Sequence, residues 1–427
     1  LRARSRAVTG FEQEKSVREA VQVILSGMEG RLGSGLPTLI WNTPQITPRH
    51  PLILYRLMFV LALFSPLLLL LSLRFFLVMV FIFQINMYLH FKVQKETKAH
   101  FEGVRALRQL ITVGGKLARI DAQFLGELPA ALRSALGQVK GFRRIVRYVG
   151  TESTDPLTYM FQQYFTIFYL AEVRGFYRAL DFIKENRKPL QQLFLAVGEI
   201  DALQSVASYR ASLDYYCEPE FTQGRGLELK EAYHPLLAEP VPNSVQIGGR
   251  GILITGSNMS GKSTFLRTVG VNVLLAQSIA TCLARKYRGC PLRLLTSIGR
   301  ADNIIEGKSY YLEEALSVLR VIEALSDRLT ALVIFDELYR GTNSEERIFA
   351  ARRVLEYLVR RNALVLTATH DLELTSLLAE HYDSFHFSER VGALGLEFDY
   401  KLKKGPATTK NAIALLRYLG YPKEITD

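Results

Sequence analysis

Cysteine is scarce. The 427 residues contain three (Cys217, Cys282 and Cys290), with no CxxC pair and no Cys/His spacing of a metal site. A disulfide scaffold and a zinc framework are thereby excluded, and buried thiols in a reducing compartment fit the pattern. Charge is also sparse, 22% of residues against 48% hydrophobic, which excludes a disordered or low-complexity chain and leaves ample material for a large core in two or three domains. No internal repeat and no aromatic-basic RNA-binding signature is present between Lys92 and about Tyr216. Charge is missing altogether from two stretches, 57–73 and 75–91. The formal net charge of +12 is unevenly spread: residues 1–100 hold 12 basic and 5 acidic side chains, residues 101–230 hold 17 and 14, and residues 231–427 hold 24 and 22. A basic excess suits nucleic acid or an anionic membrane surface, and here it collects at the N-terminal end. The first residue is Leu1 rather than Met, so further sequence upstream is expected.

The two uncharged stretches are separated by Arg74 alone. A 17-residue helix spans about 25 Å at ~1.5 Å per residue, and adding 51–55 brings the first stretch near the ~20 residues that hydrocarbon requires. The expectation is a transmembrane helical hairpin over 51–91 with Arg74 at its turn. Arg49 and Arg56 before it, and Lys92, Lys95 and Lys98 after it, place both ends in the cytoplasm at an inner or plasma membrane. A buried helix pair in a soluble core is the competing reading. Gln84, Asn86 and His90 also leave a re-entrant or interfacial hairpin open. The block starts too late and runs too long for a cleaved signal peptide.

From Lys92 to about Tyr216 apolar residues recur at helical spacing (Leu107, Leu110, Ile111; Phe161, Phe165, Phe168), with breaks expected at Gly114-Gly115, at 150–156 and at Pro189. Capping residue types just before Pro156 predict the first turn of a new helix. The cluster Lys140, Arg143, Arg144 and Arg147 reads as a solvated helix face, with phosphate contact as the alternative.

The C-terminal third carries the chemistry. GILIT at 251–255 is a short apolar strand, followed by GSNMSGKST at 256–264 and then a helix over 265–280. GxxxxGK[ST] between a strand and a helix is the P-loop arrangement. Its glycines, Gly256 and Gly261, let backbone amides and the helix N-terminus face phosphate, with Ser257, Asn258, Met259, Ser260 and Thr264 completing the loop. Lys262 reaches the β- and γ-phosphates, and the Ser263 hydroxyl ligates Mg²⁺. Downstream, the apolar strand ALVIF at 331–335 ends in Asp336 and Glu337, as a Walker B strand does. Asp336 holds Mg²⁺, and Glu337 orients and deprotonates the attacking water. A third strand at 363–367 leads to His370, which either contacts the γ-phosphate or merely follows a buried strand.

These motifs resemble the MutS family. TGSNMSGKSTFLR at 255–267 is similar to the family's TGPNMGGKSTxxR, DELYRGT at 336–342 to DExGRGT, and ATH at 368–370 to ATH. IGRADNIIEGKSYYLEE at 298–314 resembles the segment RIGAxDxxxxGxSTFxxE. GEID at 198–201, YHPLL at 233–237 and the stretch 398–425 are similar to the end of the helical core, the entry to the ATPase domain and the closing strand and helix. The resemblance implies an α/β P-loop NTPase, an ABC-type ATPase domain at 231–427, preceded by an all-α core and lever at 92–230. With the hairpin at 51–91 and an N-terminal cytoplasmic segment at 1–50, that gives the expected domain order. It further implies ATP and Mg²⁺, and a homodimer in which Ser309 reaches the partner's γ-phosphate. Asn258, Lys262, Ser263, Asp336, Glu337 and His370 serve their own nucleotide, and Tyr400 aligns with the residue that stacks on adenine.

Four departures stand out. Ser257 replaces a Pro and Ser260 a Gly in the loop; Tyr310-Tyr311 follow the signature Ser309; Tyr339 stands where the family has Gly. None removes a charged or Mg²⁺-binding group. Residues 1–50 and 101–230 are too few for a mismatch-reading domain and a clamp. Two functions follow: an ATP-driven switch that binds mismatched or branched duplex DNA in repair, as the family implies, or a membrane-tethered ATPase acting on protein partners without DNA. The near balance of charge over 101–427 favours the second, since phosphate contacts need Lys and Arg.

Overall fold

A computed structural model describes residues 1–28, 35–42, 52–147, 149, 155–257, 259–298, 310–326, 328–339, 342–392, 395–407, 421–422 and 424. The chain forms two compact units, Arg6–Ala211 and, together with Leu1–Ser5, Ser212–Asp427.

The first unit is helical: α1 (Arg2–Gln13, from Arg6 onward), α2 (Lys15–Ser26), α3 (Leu36–Trp41), α4 (Leu52–Leu68), α5 (Phe76–Leu117), α6 (Leu128–Gln138), α7 (Phe142–Ile145), α8 (Pro156–Phe168), α9 (Ala171–Glu185) and α10 (Arg187–Ala211). Local chemistry sets several boundaries. Asp155 caps α8 by accepting the Thr158 N–H at 2.8 Å, with Pro156 in the first turn. Pro189 also falls in a first turn, that of α10, where a missing N–H costs nothing. The break expected at Gly114-Gly115 does not occur, because α5 continues to Leu117. A Cβ at Gly114 would lie 2.8 Å from Leu193 Cδ1, so this glycine serves the close approach of α10. The interruption falls instead at Thr97 (φ −124°, ψ 21°), whose hydroxyl donates to the Val93 carbonyl at 2.6 Å. Stacked Phe101 and Phe176 (centroids 4.1 Å apart) and a 3.1 Å ion pair from fully buried Arg210 to Glu12 lock the bundle.

Helices α4 and α5 are joined by a short 3₁₀ turn, Leu73–Phe75, that contains Arg74. Among the described residues one helical segment, Leu73–Lys98, is long and apolar enough to cross a membrane, and 28% of its most apolar window is buried. Helix α4 has 17 residues and carries Pro66 inside it, short of the ~20 that a span requires.

The second unit is mixed α/β. Its larger sheet has the order β12 (Lys403–Lys404), β9 (Tyr382–His386), β4 (Gly251–Thr255), β8 (Ala363–Ala368), β7 (Ala331–Asp336), β6 (Arg293–Ser297), parallel except for β12. Every residue of β4, β7 and β8 is buried, as unbroken apolar runs require of strands covered on both faces. Helix α11 (Lys262–Ile279) packs Leu266, Val269 and Val273 on one face. Helices α12 (Tyr310–Glu323) and α13 (Ser344–Val359) pack Val318, Val321, Leu355 and Leu358 on the other. A smaller sheet, β1 (Glu220–Phe221), β5 (Lys286–Gly289), β2 (Leu227–Ala232), β3 (Asn243–Ile247), and a hairpin, β10 (Glu389–Gly392) with β11 (Gly395–Phe398), complete the unit, with a short α14 (Glu373–Leu377). The expected closing helix lies outside the described residues.

Candidate active site

Three parallel strands end side by side. The Glu337 N–H donates to Ala368 O (3.0 Å), Thr369 N–H to Ile254 O (2.9 Å) and Phe387 N–H to Thr255 O (3.0 Å), so the residues just past β7, β8 and β9 share one edge with the end of β4. Ligands collect at such carboxyl ends in open α/β sheets.

After β4 the chain turns through Gly256 (φ 145°), where a Cβ would meet the Phe387 carbonyl at 2.8 Å. Only glycine fits. Met259 (φ 67°) and Gly261 (φ 107°) are also left-handed, and α11 begins at Lys262. The loop thereby presents a helix N-terminus, a natural seat for an anion. Lys262 is buried, and its ammonium donates to the carbonyls of Gly256 and Ser257, both at 2.8 Å, with His370 Nε2 3.5 Å away. Ser260 Oγ donates to Ser257 O at 2.9 Å, a bond the glycine of the resembling motif cannot make.

His370 Nε2 lies 2.8 Å from Glu337 Oε1. With an ammonium on one side and a carboxylate on the other, the imidazole donates to Glu337. The loop bearing His370 is anchored by Arg347, which grips both Asp371 oxygens at 2.6 and 2.9 Å. Glu337 itself is left-handed (φ 58°), an uncommon state for a side chain of its type and one that clusters at functional sites. Next to it, Asp336 Oδ1 is buried and makes no hydrogen bond. A buried carboxylate oxygen without a partner fits a cation ligand.

One pocket of about 640 Å³ gathers Ser257, Met259, Ser260, Gly261, Lys262, Ser263, Thr264, Glu337 and Tyr400. Tyr400, 157 residues from β3 in sequence, packs its ring against Gly261, where a Cβ would lie 3.3 Å from Tyr400 Cδ1. Asn243 fixes that segment by donating to Tyr400 O (2.9 Å) and accepting the Leu402 N–H (2.7 Å). Gly256, Asp336 and His370 border this arrangement through the contacts above; Asn258 and Ser309 lie outside the described residues. Sequence reading missed His234, Pro240 and Val241, which wall the pocket beside Tyr400, as well as Asn243 and Arg347. Burial and the charge of Arg267 hold the His234 imidazole below its ordinary pKa. His234 stands in the YHPLL stretch without a role assigned to it; for the others only the proline-bracketed run at 235–242 hints at a fixed loop.

The arrangement, an anion seat with a cation beside a buried carboxylate, a positioned base and an aromatic ring, suits a phosphorylated ligand with a flat base. Residues 252–427 match the model of MutS domain V. Over this region the chain is similar to the MutS family. It is 34% identical over 248 residues to the DNA mismatch repair protein MutS of Streptococcus uberis, covering 55% of this chain and 29% of that one. The Thermus aquaticus protein of the same name is 33% identical over 261 residues (56% and 32%), and that of Thermus thermophilus 31% over 276 (60% and 33%). The chain thus spans about a third of the length of these MutS relatives.

At Tyr339, which stands where the MutS pattern has Gly, the backbone is left-handed (φ 63°). The tyrosine is buried, and its N–H donates to Glu314 Oε1 at 2.5 Å. Glu314 is itself buried and belongs to α12, whose first residues are the end of the MutS-like segment 298–314.

Proposed function

We propose that the chain is a Mg²⁺-dependent ATPase of the MutS type, a dimeric nucleotide-driven switch working in DNA mismatch repair and held at a membrane by α4 and α5. The convergence of Lys262, Glu337 and Tyr400 on one pocket carries the ATPase reading. The loop 256–261 acts as a P-loop: Lys262 exchanges its two carbonyl acceptors for phosphate oxygens, and the first turn of α11 adds its N–H groups. Ser263 and Asp336 would hold Mg²⁺, which supplies neutralising charge to the phosphates when bound. Glu337 accepts a proton from the attacking water, His370 keeps its carboxylate aimed, and Tyr400 stacks on the adenine. Ser309 of one copy completes the site of the other.

The names of the relatives support repair of mismatched DNA over a switch that acts on proteins alone. The membrane reading is supported by the apolar exterior of the hairpin: Leu57, Leu61, Phe64, Leu77 and Phe81 are all exposed, whereas the core helix of a soluble protein is mostly buried. Phosphate release by the purified chain, with and without Mg²⁺, tests the ATPase; absence of turnover and of nucleotide binding sinks it. Affinity for perfect, mismatched and branched duplexes across a salt series tests the DNA role. No binding at low salt removes it.

A further inference from the structure

Helix α8 has no charged residue, and Leu157, Tyr159, Met160, Phe161, Tyr164 and Phe165 are all exposed on it, Leu157 to 65% and Phe161 to 68%. Left in water, so many large apolar side chains on 13 residues are a liability, and a contiguous patch of this kind marks an interaction surface. Its location says what covers it. The α8 rings of Tyr164 and Phe168 pack 6.0 and 6.3 Å from Phe83, and Asn86 Nδ2 donates to the Phe168 carbonyl at 2.6 Å. Phe83 and Asn86 both belong to the uncharged stretch of α5. Toward its start, Thr158 of α8 shares a groove with Met79 and Val80, so the two helices run parallel at the same level. The groove between them, about 1060 Å³, is walled by Phe83, Phe161, Tyr164 and Phe165.

Charge frames this layer at one end. Arg174 of α9 covers the Phe59 ring at 3.6 Å, and its guanidinium lies among Arg178 and Arg56, which with burial depress its pKa. Three mutually repelling cations gain from an anion. Lys92, Lys95 and Lys98 lie on α5 just past its uncharged stretch. Between Arg74 and Lys92 the helical rise amounts to about 27 Å, close to the ~30 Å thickness of bilayer hydrocarbon. Apolar flanks that run from Arg74 to a basic cluster match acyl chains that end in anionic headgroups.

We propose that α8 is a third lipid-contacting element, whose aromatic face and groove against α5 take phospholipid acyl chains. The proposal rests on the membrane reading of α4 and α5 but adds a helix that hydropathy does not select, because Thr158, Gln162, Gln163 and Thr166 dilute its sequence. A second copy of the chain is the competing occupant. It fits less well, because the neighbouring helix α5 also exposes Leu77, Phe81 and Tyr88, a surface that the hairpin reading already gives to lipid.

The chain carries one tryptophan, Trp41, which packs edge-on against Phe194 and serves as the constant background. Phe161→Trp and, as the hairpin reference, Leu77→Trp are reconstituted into phosphatidylcholine vesicles containing phosphatidylglycerol, with and without bromine on the acyl chains. The expected result is loss of emission of both added tryptophans in the brominated vesicles, to a similar extent. Quenching at Leu77→Trp but not at Phe161→Trp overturns the proposal and leaves the hairpin reading standing. If Phe161→Trp is unquenched yet blue-shifted, a second copy covers α8, and the proposal is equally overturned. Quenching at neither position overturns the membrane reading itself.

Discussion

His370 Nε2 and Glu337 Oε1 are 2.8 Å apart at the ends of adjacent strands, and no residue near them in sequence announces the pairing. The carboxylate proposed to receive a proton from water is thus already oriented by a donor. Glu337→Gln keeps a side chain of the same shape but removes the base. Phosphate release should fall by roughly 10²–10⁴-fold while ATP is still retained. His370→Ala should fall less, since the base remains. The check is single-turnover hydrolysis beside filter retention of labelled ATP, and unchanged turnover in Glu337→Gln refutes the assignment.

Lys262 makes two hydrogen bonds to its own loop. Lys262→Met removes the charge that must bind phosphate. Charge-assisted bonds are worth about 1.5–3 kcal/mol each, so nucleotide affinity should drop by at least ~10-fold. Equilibrium titration with a fluorescent ATP analogue reads this directly.

Tyr400 offers its ring beside Gly261. Base-aromatic stacking is worth about 1–3 kcal/mol, so Tyr400→Ala should weaken ATP and ADP equally, by roughly 5- to 150-fold, while Tyr400→Phe stays near the parent. A loss confined to ATP would show that the ring acts on the phosphates rather than the base.

The Glu314 carboxylate accepts the buried N–H of Tyr339. In Glu314→Ala that donor loses this acceptor, at a cost of about 1–3 kcal/mol, whereas Glu314→Gln keeps an acceptor and most of the stability. Urea denaturation of the three proteins decides it. Equal midpoints for Ala and Gln would mean that water or another group satisfies the N–H.

The helical unit depends on Arg210, fully buried and paired with Glu12. Glu12→Ala strips a buried cation of this partner, and a loss of about 3–5 kcal/mol is expected. The double change Glu12→Ala with Arg210→Met should recover much of it. Thermal unfolding of the three chains tests both statements.

The strand–loop–helix at 251–279 and the two buried strands of the sheet centre were legible because each carries a local signal: an unbroken apolar run, a glycine pair and a Lys-Ser step. Pro156 announced a first turn for the same reason, and Pro189 a break that falls where α9 gives way to α10. Gly114 misled, because a glycine that admits Leu193 looks in sequence like one that ends a helix. Asn243 and Arg347 were invisible because their value lies in partners 157 and 24 residues away. The left-handed backbone at Tyr339 could be foreseen only as a departure from glycine, not as the strain it is.

Helix α5 runs for 42 residues, about 63 Å at ~1.5 Å per residue, with one departure from helical geometry at Thr97. Its first half is free of charge from Phe76 to Phe91, and its second packs into the bundle through Gly114. A rod this long conveys both push and twist between its ends, but a joint in its middle transmits push far better than twist. The departure at Thr97 therefore falls between the uncharged half of the rod and the half built into the bundle, where a change of direction disturbs neither set of contacts.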